Sequence, residues 1–332
     1  MQIKNTMKKY ACLLLFALLL NGCDDGDLTV EEFNFENVDS AHCGDTYELI
    51  YKIKNQESLL LQIPDETLKN VVTADGDPQE FDIDNSNYKL VYRAYDGTIT
   101  SSNICDIIRP STPNVSNEWY ATGGKIYIAT KVNTTLNTTD NSTTITGYTH
   151  TIYFKNLTFS KSAGIQVQPE FTFGTIITDA DELNLDFKEE AEQCTTSKQI
   201  YNYSIGNGTS ITIDNIDSDL IVNEVTPTGS PRKKLITTTN NKVTYKIYEG
   251  GVLSESYFCN TTIPTTPTVA EIWNAENGVD NTSGIIEVVT ATLGPNTFTH
   301  TITLKNVTLN NGNVSFNLGN SFLLGILTTT TN

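Results

Sequence analysis

Apolar and polar residues alternate along short runs through most of this chain, and nowhere is there an amphipathic helical stripe of useful length. Two stretches show the pattern best. Tyr148, His150, Ile152 and Phe154 fall on one side of a strand, with Thr149, Thr151, Tyr153 and Lys155 on the other. Phe298, His300, Ile302 and Leu304 likewise oppose Thr299, Thr301, Thr303 and Lys305. A period of two with one apolar face is the signature of a half-buried strand. Similar runs predict strands over 47–53, 59–63, 89–95, 125–132, 144–154 and 164–173, and again over 199–205, 210–213, 242–248, 285–291, 297–304 and 313–316. Asp96-Gly97, Gly123-Gly124, Asn207-Gly208, Gly250-Gly251 and Asn277-Gly278 supply turns between them. Short strands at this spacing predict an all-β protein of antiparallel sandwiches, with a barrel as the alternative closure.

The strands come in two sets because the chain is duplicated. Tyr92-Arg-Ala-Tyr-Asp-Gly97 is followed by Cys105, Pro110, Pro113 and Trp119. Tyr245-Lys-Ile-Tyr-Glu-Gly250 is followed by Cys259, Pro264, Pro267 and Trp273, and every residue from the cysteine to the tryptophan is offset by 154. Glu32-Phe-Asn-Phe-Glu36 recurs as Glu182-Leu-Asn-Leu-Asp186, read as an acidic edge strand entering each sheet. The repeats therefore span 31–178 and 179–332, with a short helical turn expected over 187–193. They differ at Asn133–Thr144, a low-complexity tract whose counterpart, Thr292–Thr297, is half as long; it reads as a mobile hairpin tip.

The start of the chain follows a different pattern. Lys4, Lys8 and Lys9 precede an apolar run from Ala11 to Leu20, too short to span a bilayer and the right length for a signal-peptide core. Leu20-Asn21-Gly22-Cys23 resembles the lipobox of bacterial lipoproteins, which implies cleavage after residue 22 and acylation of Cys23. Residues 23–30 then form an acidic tether, and Asp24-Asp25-Gly26-Asp27 resembles the surface-export signal of Bacteroidota lipoproteins. Two or three acyl chains anchor a protein to a membrane without spanning it. Of the six cysteines, Cys12 lies in the leader and Cys23 takes the lipid. The remaining four sit at equivalent places in the repeats, so in an oxidising compartment they predict the bridges Cys43–Cys105 and Cys194–Cys259. No C-x-x-C spacing favours a metal.

Charge narrows the partners. With 39 acidic against 21 basic residues the net charge is −18, or −21 once the three leader lysines are gone. Such a surface repels phosphate backbones and excludes nucleic acid as a partner.

Candidate chemistry is sparse. His150 and His300 each lie on the apolar face of a strand without a second ligand at metal spacing, which assigns them to the core. Asp75, Asp77, Asp82 and Asp84, with Asp214, Asp217 and Asp219 in the second repeat, are carboxylate-rich enough for calcium. The EF-hand order fails, however, because the sixth position from Asp82 is Asn87 and the twelfth is Arg93, so they read as solvated turns. Trp119 and Trp273 are candidate sugar-stacking platforms, with core packing beside the disulfide as the competing account. Asp39-Ser40-Ala41 resembles the three-residue O-glycosylation site of exported Bacteroidota proteins. Asn-x-Ser/Thr triplets follow from composition alone. Nucleophile elbows, H-E-x-x-H, P-loops and dinucleotide fingerprints are absent, and no cofactor is implied.

The cysteines, the spaced prolines, the following tryptophan and the Gly147-Tyr-Thr-His-Thr-Ile152 strand together make the chain similar to uncharacterised lipoproteins of flavobacteria. That resemblance implies an outer-membrane or cell-surface location and carries no activity. The expected function is a lipid-anchored envelope protein with a non-catalytic binding or structural role, towards a polysaccharide or another envelope protein. A glycan-binding surface module is the first alternative, and an enzyme with a non-local site the second.

Overall fold

Alternating strands with one apolar face must curl or stack to cover that face, and here they curl. In the computed structural model, which describes residues 34–331 apart from 162, 163, 205, 207, 261 and 263, each repeat forms one sheet bent into a half-barrel. The leader, Cys23 and the acidic tether lie outside the described residues. Of the unit spanning Met1–Asn37, only 34–37 are described, irregular at 34–35 and a turn at 36–37; the start of the edge strand expected from Glu32–Glu36 lies outside the described residues, and the part at 34–36 is not a strand.

The first sheet contains β1 (Ala41–His42), β2 (Leu49–Lys54), β3 (Glu57–Gln62), β4 (Gln79–Asp82), β5 (Lys89–Tyr95), β6 (Val115–Leu136), β7 (Thr143–Lys161) and β8 (Gly164–Thr178). Its order is β1-β2-β3-β5-β6-β7-β8, with β4 paired to β6. The second contains β9 (Glu190–Gln193), β10 (Ile200–Ser204), β11 (Thr209–Asp214), β12 (Arg232–Leu235), β13 (Lys242–Glu249), β14 (Thr268–Ala275), β15 (Ile285–Thr292), β16 (Thr297–Lys305), β17 (Thr308–Asn311), β18 (Val314–Asn317) and β19 (Phe322–Thr330). Its order is β12-β15-β16-β19-β9-β10-β11-β13-β14-β17-β18. Every named pairing is antiparallel except β9 with β19, which run parallel. Single-turn helices α1 (Ser102–Cys105) and α2 (Glu255–Cys259) deliver the second cysteine of each bridge.

The duplication is legible in the register. Tyr92 pairs with Trp119 across β5 and β6, and Tyr245 pairs with Trp273 across β13 and β14. The long strands β6, β7 and β8 of the first repeat each correspond to two short strands of the second. The sequence misses β4, β12, β14, β17, β19 and the first part of β6, because these segments lack alternation. In β14, for example, Trp273 alone is buried.

Two local expectations fail. Residues 182–186 are not a strand, and 187–193 do not form a helical turn; instead Glu190–Gln193 is β9. Its backbone finds partners in β10 on one side and β19 on the other, and pairing on both edges outweighs a weak local preference.

Nor is the low-complexity tract a free tip. β6 runs to Leu136 and β7 starts at Thr143, leaving only 137–142 as a turn. That turn bonds to the second repeat: Asn141 Nδ2 donates to Asn320 Oδ1 at 3.0 Å, Asn320 N to the Asp140 carbonyl at 2.6 Å, and Asn317 N to Thr143 Oγ1 at 2.7 Å. The extra residues of the first repeat are thus spent on contact between repeats. Ile145 and Tyr148, just beyond the turn, join the core of the second repeat around Tyr245, Trp273, Ile302 and Phe316.

Each sheet bends at a bulge occupied by glycine. Register shifts after Ile152, opposite Gly174, and after Ile302, opposite Gly325, where φ is +144° and +150°. A Cβ on Gly325 would lie 2.8 Å from Ala191 Cβ and 3.0 Å from its nitrogen, so β9 could not approach β19. Gly325→Ala is therefore expected to lower stability by about 2 kcal/mol or more, combining backbone strain with overpacking. Gly312→Ala, at φ +59° with nothing within 4 Å, should cost only about 1 kcal/mol. Urea unfolding midpoints of the two variants check the difference.

Candidate functional site

The two tryptophans are core residues, each 3% exposed. Trp119 stacks on Tyr92 with ring centroids 4.3 Å apart, carries the Lys161 ammonium 3.7 Å from its own centroid, and donates Nε1–H to Asn117 Oδ1 at 3.0 Å. Trp273 packs edge-on against Phe316 and donates Nε1–H to Glu271 Oε2 at 2.9 Å. Neither presents an open ring face to a sugar, so the stacking platform considered from sequence is not formed. Nor do they pack on the bridges. Cys43 and Cys105 sit against Tyr51, Leu60, Tyr95 and Ile104, and Cys194 and Cys259 against Tyr201, Tyr203, Tyr248 and Tyr257. Both bridges form with the expected pairing.

His150 and His300 are wholly buried, as alternation assigns them, and their partners are equivalent. His150 Nδ1 lies 2.9 Å from Thr130 Oγ1 and Nε2 lies 3.0 Å from Thr178 Oγ1. The Thr178 hydroxyl donates to Asn70 Oδ1, so it accepts from Nε2–H, and Nδ1 is left to accept from Thr130. His300 repeats this with Thr290 at 2.9 Å, Thr329 at 2.8 Å and Asn223 at 3.2 Å; Thr329 donates to Asn223. Arg232 Nη1 donates to Thr290 Oγ1 at 3.0 Å, which turns the Thr290 proton towards the ring.

Both imidazoles are thereby held neutral and singly tautomeric. Desolvation pushes the His150 pKa down to about 4 and lowers that of His300, where the Arg232 charge adds to the effect. With both nitrogens occupied and no route to solvent, neither ring offers a proton to a substrate. What they hold is a loop. Thr73 and Thr226, three residues after Asn70 and Asn223, bond the main chain of Thr130 and Thr290, so an Asn-x-x-Thr segment is pinned to each sheet. The sequence carried this signal unnoticed, since 223−70 and 226−73 are both 153.

The carboxylate clusters are turns and ion pairs. Asp84 accepts three backbone N–H groups at 2.9 Å, which hold its carboxyl below the usual range. Asp82 pairs with Lys125 at 3.1 Å, and Asp217 and Asp219 clasp Lys234 at 2.8 and 2.9 Å. Asp75 and Asp77 belong to a two-residue turn closed by the Asp77 N–H on the Ala74 carbonyl. Among the described residues no cluster of His, Cys, Asp or Glu is arranged to hold a metal ion.

Where the repeats meet there is a cleft of about 70 Å³. Its walls are Tyr148 and Ile145 from β7, Glu271 and Trp273 from β14, and Asp181 and Leu183 from the connecting segment. A water requires about 10–15 Å³ by this measure, so the space takes a few waters or one slender group. Tyr148 is 8% exposed, yet its hydroxyl makes no hydrogen bond among the described residues. Burial, with the Glu271 and Asp181 charges nearby, raises its pKa. Sequence reading passed over these residues because each is unremarkable in its own strand. The signal lay in comparing the copies: Glu271 stands where the first repeat has Asn117, and Tyr148 where the second has Phe298.

Compared with protein-family models, with curated proteins and with solved structures, the chain matches none.

Proposed function

We propose that this is a lipid-anchored protein of the outer membrane or cell surface, with a non-catalytic binding role served by the junction of its two repeats. The observation that carries the binding role is the contrast inside the core. The histidines that might do chemistry are saturated with hydrogen bonds in both copies, whereas the junction cleft is lined by a tyrosine whose hydroxyl has no hydrogen bond among the described residues and by two carboxylate residues. The envelope location is supported by the two bridges, which require an oxidising compartment, and by the lipobox-like Leu20-Asn21-Gly22-Cys23.

The anchor is tested by labelling cells with a palmitate analogue. The wild-type protein is expected to be labelled and to become the only species beginning at Cys23, while Cys23→Ser remains unlabelled and unprocessed. Equal labelling of both would remove the anchor from this reading. External protease applied to intact cells then reports surface display: digestion places the repeats outside, and protection until lysis places them in the periplasm.

A further inference from the structure

We infer that the cleft between the repeats is a binding site for an alkylammonium group, a primary amine on a slender apolar stem. This deepens the binding role proposed above and rests on it, but not on the anchor.

The first support is internal to the molecule. In the first repeat the ring of Trp119 already carries an ammonium, Lys161 Nζ, 3.7 Å from its centroid. Lys161 lies eleven residues after His150, and the residue eleven after His300 is Asn311, so the second repeat has lost that lysine. Among the described residues no cation covers Trp273. The second repeat has also replaced Asn117 by Glu271, which puts a carboxylate beside the tryptophan that carries no cation. One copy supplies its own cation to a neutral site; the other has a negative site and no cation.

The second support is the unfilled polarity of the cleft. Glu271 and Asp181 line it, and among the described residues no lysine or arginine pairs with either. Tyr148, 8% exposed and with a hydroxyl that makes no hydrogen bond among the described residues, lines the same space. An ammonium has three donors and no acceptor, which matches two carboxylates and one hydroxyl oxygen. Ile145 and Leu183 provide apolar wall for a stem, and a volume near 70 Å³ excludes a bulky or branched head. The net charge of −18 favours encounter with cations.

Such a group arrives either as a free diamine or as a lysine side chain of a partner, and the two are separated by probe. The mature chain in detergent is titrated with cadaverine and with Nα-acetyl-lysine methylamide, while the indole N–H resonances of its two tryptophans are followed. Saturable movement of the Trp273 signal, with Trp119 unmoved and 1-pentanol inert, is expected. A tighter response to cadaverine indicates the free amine, and a tighter response to the lysine derivative indicates a protein partner. Glu271→Gln keeps an acceptor for Trp273 and should weaken binding at least about tenfold, as should Asp181→Asn; Tyr148→Phe should weaken it about fivefold. Unchanged affinity in Glu271→Gln and Asp181→Asn overturns the inference. If both amines fail while a wider fragment set still moves the Trp273 signal, the ligand class is wrong and the binding role stands. If nothing moves it, both fall.

Discussion

Replacing Cys194 and Cys259 together by serine should lower the unfolding free energy by about 4 kcal/mol. The bridge closes a loop of 65 residues, and the chain-entropy relation assigns a loop of that length about 4 kcal/mol of denatured-state entropy. The corresponding double substitution of Cys43 and Cys105, closing 62 residues, should cost a similar amount. Packing makes the second repeat the more sensitive. Cys194 is 2% exposed and surrounded by four tyrosines, whereas Cys43 and Cys105 are only partly buried. The serine hydroxyl at 194 would therefore be desolvated beside aromatic rings, adding to the entropic loss. Urea titration of both double variants measures the two costs. Equal, small losses below about 1 kcal/mol would mean that the half-barrels hold their loops without the bridges.

Acid should weaken the fold in a window set by the buried histidines. The free imidazole titrates at 6.5, and in the folded protein His150 is pushed down to about 4. Because the folded value is the lower, the native state prefers the neutral ring. The associated stability is fully present above pH 6.5 and is lost as pH falls from 6.5 towards 4. At about 1.4 kcal/mol per pH unit, His150 alone accounts for roughly 3 kcal/mol across that window. His300 adds to it in the same direction. The carboxylates that are held low, such as Asp84, Asp96 and Asp217, lose their contribution only at lower pH, below the ordinary carboxylate range. The His150→Gln, His300→Gln protein should start weaker at neutral pH, since Thr130, Thr178, Thr290 and Thr329 lose a shaped partner, by about 2 kcal/mol or more per site. It should then show little further loss between pH 6.5 and 4. A wild-type unfolding curve that stays level through that interval would show the rings to be accessible to solvent and protons.

The cleft depends on the same architecture that buries these histidines. Asn70, which accepts the Thr178 proton from the His150 chain, also lines the cleft and donates to the Asp179 carbonyl at the start of the connecting segment. Acid loosening of the His150 network thus reaches the cleft wall through one side chain.

What the sequence by itself determined is whatever depends on neighbours along the chain or on comparison of the two copies. Alternation around His150 and His300 is a local property of a strand with one dry face, and it correctly assigned both rings to the core. The constant offset of 154 between Cys105–Trp119 and Cys259–Trp273 implied equal folds, and so the bridges Cys43–Cys105 and Cys194–Cys259. Tertiary structure decided the rest, because those features are made by groups far apart in the chain. β9 is a strand only because β10 and β19 supply partners on both sides. The threonine-rich turn at 137–142 is held only because the 317–320 segment comes to meet it. Trp119 and Trp273 look alike in sequence, and both are buried in packed surroundings. One ring is covered by Lys161, and the other borders a cleft whose remaining walls come from the first repeat and the connecting segment. Strand alternation records which face of a residue is dry, but not what packs against that face, since the partner is chosen by the energy of the whole assembly of strands.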